Sequence, residues 1–349
     1  MNVINTPSAE AAMARRRPAA RLDRIVRRVS RVRELGLLVV FLAIVVIVTI
    51  QVPRFFSLGN FSEILFSVSI IAIIAVGQTL VILTRNVDLS VGSIVGISAY
   101  IVADLLKQHP QTSVLLVILL GCALGLGLGA INGLLVAAGR VPAIVTTLGT
   151  LYIYRGIDFL IARGKQISAY DVPESFLNLA TTKILGVPLL IIFAAAIALI
   201  FAFLLRYTRQ GRQLYAIGSN PDAARLVGIH NNVLIFGAFL ICGLLAGFAG
   251  VLWAARFATI DARAATSEEL LVIAAVVVGG VNIFGGSGTV LGAVLGAIVL
   301  GTIDNSLTLL KLSQFWLQAI YGVAIIVAVT TDALITRRIQ KALISRRQR

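Results

Sequence analysis

Apolar residues along this chain come in blocks of about twenty rather than at the three-and-four spacing of a half-buried soluble helix, and blocks of that length match the hydrocarbon thickness of a bilayer. Ten blocks can be marked: Leu35–Gln51, Ile64–Leu83, Leu89–Leu106, Val114–Ala138, Pro142–Ala162, Val187–Leu205, Val233–Trp253, Leu270–Ile283, Thr289–Ile303 and Phe315–Thr331. The eighth and ninth are short and flanked by glycine, the pattern of a broken or tilted helix. The fold class this predicts is an all-α, polytopic membrane protein of about ten transmembrane helices. Residues 1–34 form a basic tail, residues 35–335 the membrane domain, and residues 336–349 a second basic tail.

Composition agrees, since 58% of the 349 residues are hydrophobic and only 13% charged. Charge then sets orientation. Ten spans place both termini on one side, and that side carries 21 of the 30 Lys and Arg residues against eight on the other, with Arg155 inside a span. By the positive-inside rule both termini are cytoplasmic. The net charge of +15 is thereby explained by topology, and a nucleic-acid partner is not expected. In the first tail, Leu22, Ile25, Val29 and Val32 recur at helical spacing beside Arg21, Arg24, Arg28 and Arg31. It is either a basic amphipathic helix on the lipid surface or a solvated tail whose arginines fix topology. A long Arg-rich tail precedes the first span and no cleavable signal is expected, so the first span is expected to stay as an anchor.

Several chemistries are set aside by residue placement. Cys122 and Cys242 lie in different apolar blocks, and His109 and His230 fall on opposite sides, so neither a disulfide nor a metal site is expected. "GGVNIFGGSG" (279–288) lacks the Lys and Ser/Thr of a phosphate-binding loop. Transport against a gradient would therefore draw on ions or on a partner. Small-xxx-small spacing in "GCALGLGLGA" (121–130) and "GLLAGFAG" (243–250), and at Gly292 and Gly296, reads as close helix packing.

Ionisable residues within the blocks are few: Arg155 and Asp158, three apart and able to neutralise each other, with Asp104 and Asp304 near outer ends. Thr147, Thr150, Tyr154 and Asp158 make one polar stripe at helical spacing, which suits the path of a hydroxyl-rich, uncharged solute. Gln78 and Thr79 on the second span are a further candidate lining. An ion-coupled carrier would need a midplane coupling site, and a membrane-embedded transferase a catalytic polar cluster. Neither is evident.

One interval breaks the apolar pattern on the cytoplasmic side: "NPDAARLVGIH" (220–230). Asn220 is a good N-cap, Pro221 suits the first helical position, Asp222 complements the helix dipole, and Gly228 permits a left-handed end. A short cytoplasmic helix is predicted, with Ala223 and Ala224 as a smooth face for another protein and Arg206, Arg209, Arg212 and Arg225 around it.

"DAARLVG" (222–228) resembles the EAA-xxx-G coupling motif of ABC importer permeases, with Asp in place of Glu. "GQTLVILTRNVDLSVGSIVGIS" (77–98), "VPAIVTTLGTLYIYRGI" (141–157) and "VVVGGVNIFGGSGTVLGAVLGA" (276–297) resemble segments of bacterial carbohydrate ABC permeases, the branch of ribose, xylose, rhamnose and autoinducer-2 transporters. Within the first, Asn86, Asp88, Ser90, Gly92 and Ser93 carry the signature. The match looks closest to rhamnose and autoinducer-2 permeases. Many relatives have Gly-Gly-Ile-Asp where this chain has Arg85-Asn86-Val87-Asp88, a departure that weighs against ribose. The resemblance implies a second-type importer fold in the bacterial inner membrane. It also implies a second permease subunit, identical or not, a periplasmic sugar-binding protein, and ATPase subunits that hold ATP and Mg and receive the coupling helix.

Overall fold

The computed structural model describes residues 36–257, 259–313 and 315–347, and these are overwhelmingly helical. The helices are α1 (Gly36–Gln51), α2 (Leu58–Leu83), α3 (Val91–Gln108), α4 (Val114–Ala137), α5 (Ala143–Ala162), α6 (Glu174–Thr181), α7 (Leu189–Tyr207), α8 (Arg209–Ser219), α9 (Pro221–Leu226), α10 (Asn231–Phe257), α11 (Glu268–Val278), α12 (Val290–Leu309) and α13 (Trp316–Arg347). Seven of them (α2, α3, α4, α5, α7, α10 and α12) are long and apolar enough to cross a membrane, while α1 and Trp316–Thr330 of α13 are shorter apolar helices. The expected amphipathic segment around Arg21–Val32 lies outside the described residues. Helix α13 continues through most of the stretch expected as a second tail.

The eighth expected span is corrected. α11 ends at Val278, and Gly279–Gly288 is irregular, with Gly280, Gly285, Gly286 and Gly288 all at positive φ. Eleven residues make about 16 Å of helix, roughly half a bilayer core. The ninth span runs on to Leu309, six residues past its expected end.

Helix α2 is the hub, packed against α10, α12, α7 and α11, with Ile73, Val76, Val81 and Leu83 fully buried. The tightest pairing is α4 on α10, and its cause is the absence of side chains. A Cβ on Gly125 would sit 2.6 Å from Gly247 Cα, and one on Gly129 would sit 2.9 Å from Gly243 Cα. The same device joins α12 to the end of α11, where a Cβ on Gly279 would lie 2.6 Å from Ala293 Cα. Backbones this close replace the hydrophobic driving force that lipid does not supply. On the outer surface of the bundle Leu115, Leu119, Ile153 and Leu199 stand exposed, facing lipid or a partner helix.

The connections sort into two sets, one at each end of the bundle. At one end Lys107 pairs with Asp171 at 3.1 Å, and Ile167 bridges Ile260 by two backbone bonds. The Ser168 N–H and then Lys107 hold the Asp171 carboxylate below its usual range. At the other end lie α8, α9, the 84–90 segment and the glycine-rich 279–288 loop.

Candidate functional site: the coupling element and its ties

Helix α8 starts where the Thr208 hydroxyl accepts the Gly211 N–H, and it ends at Asn220. Asn220 turns the chain and caps the next helix: its Oδ1 accepts the N–H groups of Asp222 at 3.1 Å and Ala223 at 3.0 Å. Pro221 occupies the first position of α9. Gly228 then takes φ +80°, which lets the Ile229 N–H reach back to the Ala224 carbonyl at 3.0 Å. Finally, Asn231 Nδ2 donates to the Pro221 carbonyl at 2.9 Å, tying the first turn of α10 to the first turn of α9.

One expectation is corrected here. Ala223 is exposed, but Ala224 is buried at 3% exposure against the chain itself, so its small size serves internal packing. The apolar surface offered outward is Leu226 and Val227, at 89% and 76% exposure, together with Ala223. A pair of alanines one residue apart sits 100° apart around a helix, so the two cannot share one narrow face.

The element is bound to the membrane helices by backbone-level contacts. Arg85 donates from Nε to the Gly218 carbonyl at 2.5 Å and from Nη2 to the Ser219 carbonyl at 2.7 Å. The Gly286 N–H donates to the Leu83 carbonyl at 3.1 Å. The Tyr215 hydroxyl donates to the Gly288 carbonyl at 2.9 Å, and burial pushes this phenol up to about 12. Gly218 has no room for a side chain, since a Cβ there would strike the Leu83 carbonyl and Gly286. The end of α8, the end of α2 and the loop between α11 and α12 are thus one block. Sequence reading missed Arg85, Tyr215 and Gly218 in this role, taking Arg85 as a topological charge and as part of a departure from related permeases. The signal present was the glycine run at 279–288, which sequence alone ties to a permease segment but not to a contact with α8.

The signature residues line the way into α3. Asn86 folds its amide onto Thr84, donating to its carbonyl at 3.0 Å and its hydroxyl at 2.9 Å. Buried Asp88 accepts the Ser90 N–H at 2.9 Å and the Ser90 hydroxyl at 2.7 Å. Asn132 of α4 donates to Ser90 Oγ at 2.7 Å, and the Tyr154 hydroxyl reaches Leu128 O at 3.0 Å and Asn132 Oδ1 at 3.3 Å. Ser93 donates to the Ser90 carbonyl at 2.8 Å. Gly92 lets the backbone of the 259–267 segment approach, since a Cβ there would lie 2.9 Å from the Ala265 carbonyl. Irregular backbone is admitted among the helices because most of these groups find partners inside the protein, Asp88 Oδ2 being the exception among those named.

The polar stripe of α5 lies on that same inner face. Thr147, Thr150, Tyr154 and Asp158 are buried at 0–4% exposure, and so are Gln78 and Thr79. Thr147 donates to the Ala143 carbonyl at 2.9 Å, Thr79 to the Ala75 carbonyl at 2.7 Å, and the Cys242 thiol lies 3.7 Å from Gln78 Oε1. In this state the stripe is internal packing, not an open lining. Its period marks a buried face because threonine hydroxyls satisfy themselves on the preceding turn. Arg155 sits 3.8 Å from Asp158 and donates to the Ala262 and Ala264 carbonyls at 3.0 and 2.7 Å, so the pair pins the 259–267 segment to α5.

Comparison with known proteins places this architecture. Residues 60–329 match the family described as the permease component of the branched-chain amino acid transport system. The ribose import permease of Escherichia coli K12 is 36% identical over 297 residues, covering 84% of this chain and 92% of the relative. The autoinducer 2 import system permease of Klebsiella pneumoniae is 38% identical over 317 residues, covering 91% and 90%, and that of Photorhabdus luminescens 36% identical over 312 residues, covering 88% and 92%. The Arg85–Val87 departure therefore does not separate this chain from ribose permeases. No solved structure matches the chain. The chain belongs to this family of multi-pass ABC importer permeases, in the branch that holds the ribose and autoinducer 2 import permeases.

Proposed function

We propose that this chain is the membrane-spanning subunit of an ATP-driven importer for a sugar or sugar-like solute, with α9 as the point at which a partner ATPase moves it. The observation that carries the reading is the α8–α9 unit: outward it offers Ala223, Leu226 and Val227, and inward it is tied to α10 through Asn231, to α2 through Arg85 and to the α11–α12 loop through Tyr215. A push on α9 is delivered to four helices at once, which is what a rigid-body switch requires. ATP and Mg belong to that partner, since no phosphate-cradling loop occurs in this sequence. A binding protein outside the membrane delivers the solute, a second permease subunit completes the path, and the arginine bias places both termini in the cytoplasm of a bacterial inner membrane.

The relatives support ribose or autoinducer 2 as cargo, while rhamnose rests on the likeness of "LTRNVDLSVGS" and "TLGTLYIYRGI" alone. The test is Leu226→Glu with Val227→Glu in cells carrying the complete transporter. Permease abundance is expected to stay normal while the ATPase subunit no longer co-purifies and sugar uptake is lost. Uptake at the native rate in the double variant would show that α9 is not the contact.

A further inference from the structure

Between the outer halves of α2, α10, α11, α12 and α13 lies a cavity of about 680 Å³, within the range of small-molecule sites. One wall is aromatic. The Trp253 and Phe257 rings lie with centroids 4.3 Å apart, tilted by 40°, and the Arg256 guanidinium lies 4.8 Å from the Phe257 ring and 4.7 Å from that of Phe66. Arg256 is also spent on Ser67, donating to its carbonyl at 2.9 Å and its hydroxyl at 3.1 Å. The plate is therefore held rigid before anything binds. Tyr321 and Gln318 of α13 face it across the cavity.

The remaining wall is acidic. Glu268 and Asp304 both line the space, and Glu268 Oε2 is shut off from solvent with no hydrogen-bond partner among the described residues. Glu268 is the first residue of α11, and α11 begins inside the bundle beside Gly92. Just before it, Ala265 and Ser267 hold left-handed backbone at φ +53° and +70°, conformations that strain a residue with a side chain. The chain is thus forced into the turn that sets Glu268 on the cavity wall.

We propose that this cavity is an outward-facing vestibule that takes a neutral, hydroxyl-rich solute, its C–H face on the Trp253–Phe257 plate and its hydroxyls on Glu268 and Gln318. An anion is disfavoured, because two carboxylates face the space and the one guanidinium is engaged with Ser67. A lipid tail is disfavoured by the same carboxylates. None of these residues belongs to the α5 stripe or to the signature. The inference rests on the importer reading above and names where its solute first meets the permease.

The test uses the full permease complex in nanodiscs, without binding protein, and saturation-transfer NMR, which detects weak contacts. D-ribose and L-rhamnose are the neutral probes and inorganic phosphate, followed by 31P line width, is the anionic one. Saturation is expected to pass from protein to the sugar C–H protons, and to fall at least fivefold in Glu268→Gln and in Trp253→Leu. Phosphate is expected to stay sharp. Gln318→Ala, at an exposed position, tests the same site without touching the core and is expected to lower the signal by twofold or more. Sugar signals that survive all three substitutions, in a complex that still imports sugar, overturn the vestibule and leave the importer reading standing. Phosphate broadening that depends on Arg256 overturns it in favour of an anion site. A native complex that imports no sugar removes both.

Discussion

Arg85 occupies a position with φ +66°, where glycine is at ease and a residue with a side chain is strained by roughly 1–2 kcal/mol. Its return is the pair of charge-assisted bonds to Gly218 and Ser219. The first is half-buried and the second exposed, so together they contribute about 2 kcal/mol rather than the sum of two buried ones. Arg85→Ala loses the bonds and keeps the strain, a cost of about 2 kcal/mol; Arg85→Gly loses the bonds and recovers the strain, for a net cost near 1 kcal/mol or less. The two variants are therefore expected to differ in thermal stability, with Ala the lower, measured by fluorescence-detected gel filtration of the heated protein. They are expected to agree in coupling, because both free α8 from α2. A loss of about 2 kcal/mol in docking is roughly a thirtyfold shift toward the undocked arrangement. In proteoliposomes with the ATPase subunit, solute imported per ATP hydrolysed should fall several-fold for both. An unchanged ratio in both variants refutes the tie, and a Gly variant less stable than the Ala variant refutes the strain.

Three further outcomes follow from the packing. Ala224→Glu, which drives a carboxylate into a filled contact, is expected to loosen α9 by at least 2 kcal/mol, making the helical backbone after the already exposed Arg225 cleavable by trypsin, while Ala223→Glu leaves the digestion pattern native. Gly247→Leu forces α4 off α10 and should sharply reduce folded permease in membranes. Gly127→Leu is the control, on the same α4 helix with nothing within 4 Å, and is expected to leave the yield unchanged. Tyr154→Phe removes the hydroxyl from Leu128 and Asn132 and should lower stability by about 1–2 kcal/mol, with solute selectivity unaltered; altered selectivity would return the α5 stripe to the transport path.

Much of this molecule can be read from residue order because lipid imposes a simple rule. Blocks such as Ile64–Leu83 and Val114–Ala138 had to be helices, and their glycine spacing had to mean close packing. The cap residues of α9 were legible for the same local reason, since Asn220, Pro221 and Gly228 act within one turn. What escaped depends on contacts far apart in the chain. Nothing near Arg85 announces a carbonyl 133 positions away, and nothing near Ala224 says which of two adjacent alanines turns inward. The α5 stripe is ambiguous in sequence because polarity at helical spacing is the same signal whether a hydroxyl faces a solute or the preceding turn's carbonyl. The vestibule escaped because its wall is assembled from five helices.

The most direct test of α9 as the handle is proximity. Val227→Cys, in membranes holding the complete transporter and treated with a short bifunctional maleimide, is expected to give an adduct of permease with ATPase subunit. Lys107→Cys, at the other end of the bundle, is expected to give none and to react instead with an impermeant thiol reagent added outside intact cells. An ATPase adduct from position 107, or labelling of position 227 from outside, would contradict both the orientation and the coupling role.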